Sequence, residues 1–141
     1  MEAPAVFQRQ GTYYLVTSGC TRWKPNAARL AVSQNSIWGP WIEKDNPCQG
    51  KDRDTTYHSQ STFVLPIPSA KEKKNDNDDN DNDGANFVFL ADRWNNKNLS
   101  DSRYVWLPLQ FHDNTTGDPF IQWHDEWSPE ELFGNTKMSR K

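Results

Sequence analysis

The chain reads as a succession of short β-strands. Ala5-Val6-Phe7-Gln8-Arg9 and Thr12-Tyr13-Tyr14-Leu15-Val16-Thr17 are rich in β-branched and aromatic residues, and they flank the turn pair Gln10-Gly11. That is the pattern of a β-hairpin, in which glycine takes the positive φ that lets the strands double back. A third strand is predicted over 28–32. A short edge strand is predicted over 37–42, interrupted by Gly39-Pro40, because proline lacks the N–H that a ladder needs. The pattern then recurs, with strands expected over 61–65, 87–91, 103–109 and 119–123. The only helical signal is a single turn starting at Pro129.

These elements predict an all-β fold of two four-stranded antiparallel sets, each strand returning beside the last, as in the blades of a β-propeller. The domain is expected over 1–128, with 129–141 a C-terminal tail. Two blades cannot bury both of their faces alone, since radial folds need a neighbour on each side. The sequence therefore reads as an incomplete folding unit. Between two strands of the second set lies an Asn/Asp-rich run over 71–83. Its composition cannot contribute to a core, so a disordered loop is expected. It also fails as a calcium loop. Counted from Asp76, position six is Asp81 and position twelve is Phe87, where an EF-hand needs Gly and Glu.

Charge sharpens the picture. The chain has 141 residues and a formal net charge of −3, all of which is carried by that run. The remainder is neutral, which argues against a nucleic-acid or anionic-membrane partner. No apolar stretch approaches the roughly 20 residues that a membrane helix needs. Seven Trp, seven Phe and four Tyr suit either a β core or a sugar site, where a flat ring stacks on a pyranose. Cys20 and Cys48 have no metal-ligand spacing. Two sequons, Asn98-Leu99-Ser100 and Asn114-Thr115-Thr116, together with the even cysteine count, lean towards a secreted protein with one Cys20–Cys48 disulfide. Two buried free thiols are the alternative.

Four stretches taken in order carry a resemblance. They are Glu2-Ala3-Pro4-Ala5-Val6-Phe7, Thr17-Ser18-Gly19-Cys20-Thr21, Ser59-Gln60-Ser61-Thr62-Phe63, and Ala91-Asp92-Arg93-Trp94 with the run from Asp101 to Pro108. Together they resemble glycoside hydrolase family 43, most closely its exo-β-1,3-galactanase branch (galactan 1,3-β-galactosidase). The resemblance implies the last two or so blades of a five-bladed propeller, at the C-terminal part of a catalytic domain. It implies a β-1,3-galactan polysaccharide or oligosaccharide as substrate, with no cofactor and no metal.

By that resemblance Glu2 is the general acid, because a glycosidic oxygen leaves poorly unless protonated as its bond breaks. Gln60 positions the attacking water, a task an amide can perform because it both donates and accepts. Ser18 and Thr21 offer hydroxyls to a sugar, and Trp23 a stacking face. Asp92, Arg93 and Trp94 close an inner strand and are expected to face the axis, with an Asp92–Arg93 ion pair as the structural alternative. The family pattern has glycine where this chain has Arg22, which leaves the local backbone shape open. The front blades implied by the resemblance are not in this chain. The expectation is a truncated, secreted glycosidase that is inactive alone; a non-catalytic carbohydrate-binding piece is the competing reading.

Overall fold

The computed structural model describes residues 1–22, 24–34, 36–67, 85–112 and 117–133. Trp23, the 71–83 run and the sequon at Asn114 lie outside the described residues. The chain is built mostly of strands. β1 (Glu2–Arg9), β2 (Thr12–Ser18), β3 (Arg29–Ser33) and β4 (Ile42–Lys44) form one antiparallel sheet in sequence order. β6 (Gln60–Ile67), β7 (Asn86–Arg93), β8 (Arg103–Phe111) and β9 (Pro119–Gln122) form a second antiparallel run. A two-residue strand, β5 (Cys48–Gln49), adds to its outer edge in parallel with β9.

The expected all-β architecture is observed, with two local differences besides the added β5. The edge strand predicted over 37–42 forms further on, at Ile42–Lys44. Gly39 has φ +94, and that backbone bends the chain before it can pair. The second difference is a turn segment, Arg53–His58, which no apolar periodicity announced. The β1–β2 hairpin closes as expected, with Gln10 at φ 48 and Gly11 at φ 75. Two successive positive φ angles match the right-handed twist of the strands they join. Pro129–Phe133 forms the short helix α1.

Alternation explains the packing. On β1, Ala5, Phe7 and Arg9 are buried while Val6 faces out; on β7, Phe87, Phe89 and Ala91 point inward. Successive side chains of a strand leave opposite faces, so one face of each sheet is apolar. These faces meet in a single core that also holds Tyr14, Val16, Leu30, Val64, Leu107, Leu109 and Ile121. Fully burying one such side chain stabilises the fold by about 1.5–3 kcal/mol. Phe7 stacks on Tyr14 at 5.0 Å and meets Phe87 across the sheets at 5.1 Å. Buried Arg9 lies 4.0 Å over the Phe111 ring. The outer face of the second sheet differs: Phe63, Leu65, Tyr104 and Trp106 are all exposed. Its strands are therefore apolar on both sides, and the outer side is covered at Val88 and Pro108 but open at Phe63, Leu65, Tyr104 and Trp106. Among the described residues no helix is long and apolar enough to cross a membrane.

The innermost strands, β1 and β6, lie side by side. Each starts with an irregularity: the pairing register shifts between Glu2 and Ala5 on β1, and between Ser61 and Phe63 on β6. Ala3 takes φ 51 at the first of these, and its carbonyl accepts a 2.7 Å hydrogen bond from Ser61 Oγ. Bulges re-aim the side chains beside them. Here they turn the first residues of both strands towards one place.

Candidate functional site

That place is a cavity of about 290 Å³ between the two sheets, at the strand ends where β1 and β6 begin. Register builds it. Glu2 pairs with Ser18 across β1 and β2, and Gln60 pairs with Asp92 across β6 and β7. All four line the cavity. Gln60 links them: its Nε2 donates to Ser18 Oγ at 2.7 Å and to Glu2 Oε2 at 3.2 Å. Among the described residues nothing donates to Gln60 Oε1, so that oxygen is left to accept from a water or a sugar hydroxyl. Ser18 is buried, Gln60 half-buried and Glu2 exposed at the mouth.

The rest of the wall comes from the β2–β3 loop and from the turn before β6. Arg22, Lys24, Pro25 and Asn26 contribute from the loop, His58 and Ser59 from the turn, and Trp94 from beyond β7. Asn26 organises the loop. Its Oδ1 accepts from Gly19 N at 2.7 Å, and its Nδ2 donates to Gly19 O at 3.1 Å and to Thr21 Oγ1 at 2.7 Å. Sequence reasoning missed Asn26, although an Asn in a loop is a familiar local hydrogen-bonding device. Arg22 adopts φ 60. This is the left-handed region that glycine occupies freely, in agreement with the glycine of the family pattern.

The turn before β6 is held in an unusual shape. Thr56, Tyr57 and His58 take φ 49, 55 and 59 in succession, none of them glycine. Such backbone persists only where its surroundings over-determine it. Thr56 Oγ1 donates to Asn26 O at 2.7 Å, tying the turn to the first sheet. The single Tyr57 O–H is shared between Ile121 O at 2.6 Å and Gln49 O at 2.9 Å, and its oxygen accepts from Gln49 N at 3.0 Å, tying the turn to the second. Burial pushes the Tyr57 phenol up to about 12. Ser59 and Gln60 follow directly, so the turn sets where Gln60 starts.

Three expected participants fall elsewhere. Thr21 is not on the cavity wall; its hydroxyl donates to Lys24 O and accepts from Asn26, inside the loop. Arg93 leaves the opposite face of β7 from Asp92 and Trp94, as strand alternation requires. It lines a second hollow with Tyr57 and Trp123, donates to Tyr57 O at 2.6 Å, and forms no ion pair with Asp92. The Cys20–Cys48 disulfide is not formed, and both thiols are free. Cys20 is exposed just past β2 in the first sheet, whereas Cys48 is buried on β5 at the far edge of the second, beneath Tyr57. Burial pushes the Cys48 thiol up to about 12. Among the described residues no group of three His, Cys, Asp or Glu side chains is placed to hold a metal ion.

Two β-sheets thus meet at their innermost strands in an all-β chain, with a carboxylate, an amide and a hydroxyl converging at one end. Comparison with solved structures makes this specific, and the resemblance to family 43 glycoside hydrolases, and within them to exo-β-1,3-galactanases, holds in both fold and sequence. A GH43 β-1,3-galactosidase solved with galactodeoxynojirimycin is 47% identical over 89% of this chain, with a TM-score of 0.74. An exo-β-1,3-galactanase from Clostridium thermocellum is 35% identical over 85%, with a TM-score of 0.65. One from Phanerochaete chrysosporium, solved with β-1,3-galactotriose, is 29% identical over 84%, with a TM-score of 0.64. This chain spans 32% of the first of these structures and 23% of each of the others. No protein-family model matches the chain, and no curated protein matches it.

Proposed function

We propose that the Glu2 cavity is the galactose-binding end of a glycoside hydrolase acting on β-1,3-galactan, with Glu2 as its general acid and Gln60 positioning the attacking water. The observation that carries this reading is the convergence of Glu2, Ser18 and Gln60 through one amide group, from strands 42 and 58 positions apart. The likeness to galactanases solved with galactose, galactotriose and a galactose-like inhibitor supports the substrate class.

The chemistry follows from the contacts. Glu2 at the mouth can deliver a proton to the glycosidic oxygen of a sugar lying in the cavity. Ser18 fixes the Gln60 amide, leaving its carbonyl oxygen to accept from a water and aim it. In inverting hydrolysis the acid and the water-holding group stand about 6.5–9.5 Å apart. The 3.2 Å contact between Gln60 and Glu2 is shorter, so it is a resting contact that an entering sugar parts. Asp92 adds a second carboxylate to the same wall. With Glu2 exposed, water screens the site, and the chain by itself hydrolyses galactan slowly while holding a galactosyl unit.

The competing reading is a carbohydrate-binding piece without turnover. Assay of the purified chain on β-1,3-galactan with Glu2→Gln alongside separates the two. Galactose release that disappears in Glu2→Gln supports the acid role. Release that is unaffected by Glu2→Gln contradicts it, and binding without any release favours the second reading.

A further inference from the structure

The second hollow, of about 470 Å³, shares His58 with the first and opens at the same end of the strands. Its lining differs in charge. Asp52 is its only carboxylate among the described residues, and Asp52 Oδ1 already lies 3.8 Å from His58 Nε2. Arg93 and Lys51 face the same space with no acidic partner among the described residues. The Arg93 guanidinium is held by groups that do not neutralise it. Nη2 donates to the Tyr57 carbonyl, the group lies 5.1 Å over the Trp123 ring, and Nε is buried without a partner. Beside it stand the amides of Gln49 and Gln122, and the indole of Trp123 is 39% exposed.

A planar cationic fork with no counter-ion suits a carboxylate. Amides and an aromatic edge suit the hydroxyls and the apolar face of a pyranose. We propose that this second cavity binds a carboxylate-bearing sugar, a uronic acid unit, through Arg93 and Lys51, with Trp123, Gln49 and Gln122 contacting its ring. The proposal rests on the Glu2 cavity being a saccharide site, since His58 borders both and one branched or extended saccharide then reaches from one to the other.

The test uses the whole chain, following the Trp123 indole N–H by NMR during titration with galacturonate, galactose and acetate. Galacturonate is expected to shift that resonance and to saturate at a concentration at least tenfold below either of the others. Arg93→Gln, which removes the cationic fork, is expected to abolish the tenfold preference while galactodeoxynojirimycin still binds at the Glu2 cavity. Lys51→Gln, an exposed change that leaves the Tyr57 contact intact, is expected to weaken galacturonate binding several-fold and serves if Arg93→Gln does not fold. Equal titration by galacturonate and galactose, equal titration by galacturonate and acetate, or an unmoved Trp123 overturns the proposal. If galactodeoxynojirimycin fails to bind while galacturonate still moves Trp123, the reading of the first cavity fails and with it the saccharide that spans both, whereas uronic acid binding at the second cavity stands.

Discussion

Gln60 Nε2 lies 2.7 Å from Ser18 Oγ, joining the start of β6 to the end of β2. One hydrogen bond thus couples the two sheets at a point where a carboxylate, an amide and a hydroxyl meet. Ser18 is buried and Gln60 half-buried, so removing the hydroxyl leaves a poorly solvated amide with fewer partners.

Ser18→Ala is therefore expected to cost about 1 kcal/mol of stability, read as a lower midpoint in urea denaturation. It should also weaken galactodeoxynojirimycin binding several-fold, because the Gln60 amide is free to rotate. Unchanged stability together with unchanged affinity would mean that the contact positions nothing.

Tyr57 carries the turn that precedes Gln60. Its hydroxyl serves three backbone groups, on Gln49 and Ile121. Tyr57→Phe keeps the ring and leaves those groups unsatisfied, at an expected cost of about 1–3 kcal/mol. The backbone amide resonances of Ser59 and Gln60 should shift with it, whereas those of the β1–β2 hairpin should not. A variant as stable as the parent, with Ser59 and Gln60 unmoved, would show that the turn holds itself.

Alkaline pH tests the same buried cluster. Cys48 and Tyr57 have ordinary values of 9.0 and 10.0 and are both pushed up to about 12 by burial. Below about pH 9 both are protonated in folded and unfolded chains alike, and their contribution is fully present. As pH rises through 9.0 and 10.0, the unfolded chain releases these protons while the folded chain keeps them until about 12. Stability should therefore fall across pH 9–12, seen as a declining Tm, and Cys48→Ala should flatten part of that decline. The thiols add a direct count: a disulfide-exchange reagent at neutral pH should modify Cys20 readily in the native protein and Cys48 only after denaturation. No reactive thiol even in the denatured, unreduced chain would restore the disulfide.

Arg22 sits at φ 60, where a side chain costs roughly 1–2 kcal/mol. Arg22→Gly relieves this, offset in part by the greater freedom of glycine in the unfolded chain. A net gain of up to about 1 kcal/mol in thermal or urea unfolding is expected. A clear loss would show that the Arg22 side chain contributes more to the loop than its backbone strain removes.

Much of this was legible in the residues. The strands followed from alternation of the Ala5/Phe7 and Phe87/Phe89 kind, because one buried face imposes a period of two. The approach of Glu2 to the end of β2 follows from the tight turn at Gln10-Gly11, but an unbroken register would set Gly19 opposite it; the bulge between Glu2 and Ala5, which the residues did not announce, brings Ser18 there instead. The Arg53–His58 turn was not legible: its left-handed residues are Thr, Tyr and His, and tertiary contacts to Asn26, Gln49 and Ile121 hold them there. The placement of Arg93 on the far face needed the start of β7 to be known to the residue. The disulfide failed because the even cysteine count says nothing about which sheet each thiol lies in.

The account depends most on the cavity of Glu2, Ser18 and Gln60 being a galactosyl site. Calorimetric titration of the purified chain with galactodeoxynojirimycin, for the parent and Gln60→Ala, tests this directly. The account predicts saturable one-site binding in the parent and an affinity at least tenfold weaker in Gln60→Ala, with both proteins equally folded by circular dichroism. Equal affinity in the two, or no binding to a folded parent chain, would contradict it.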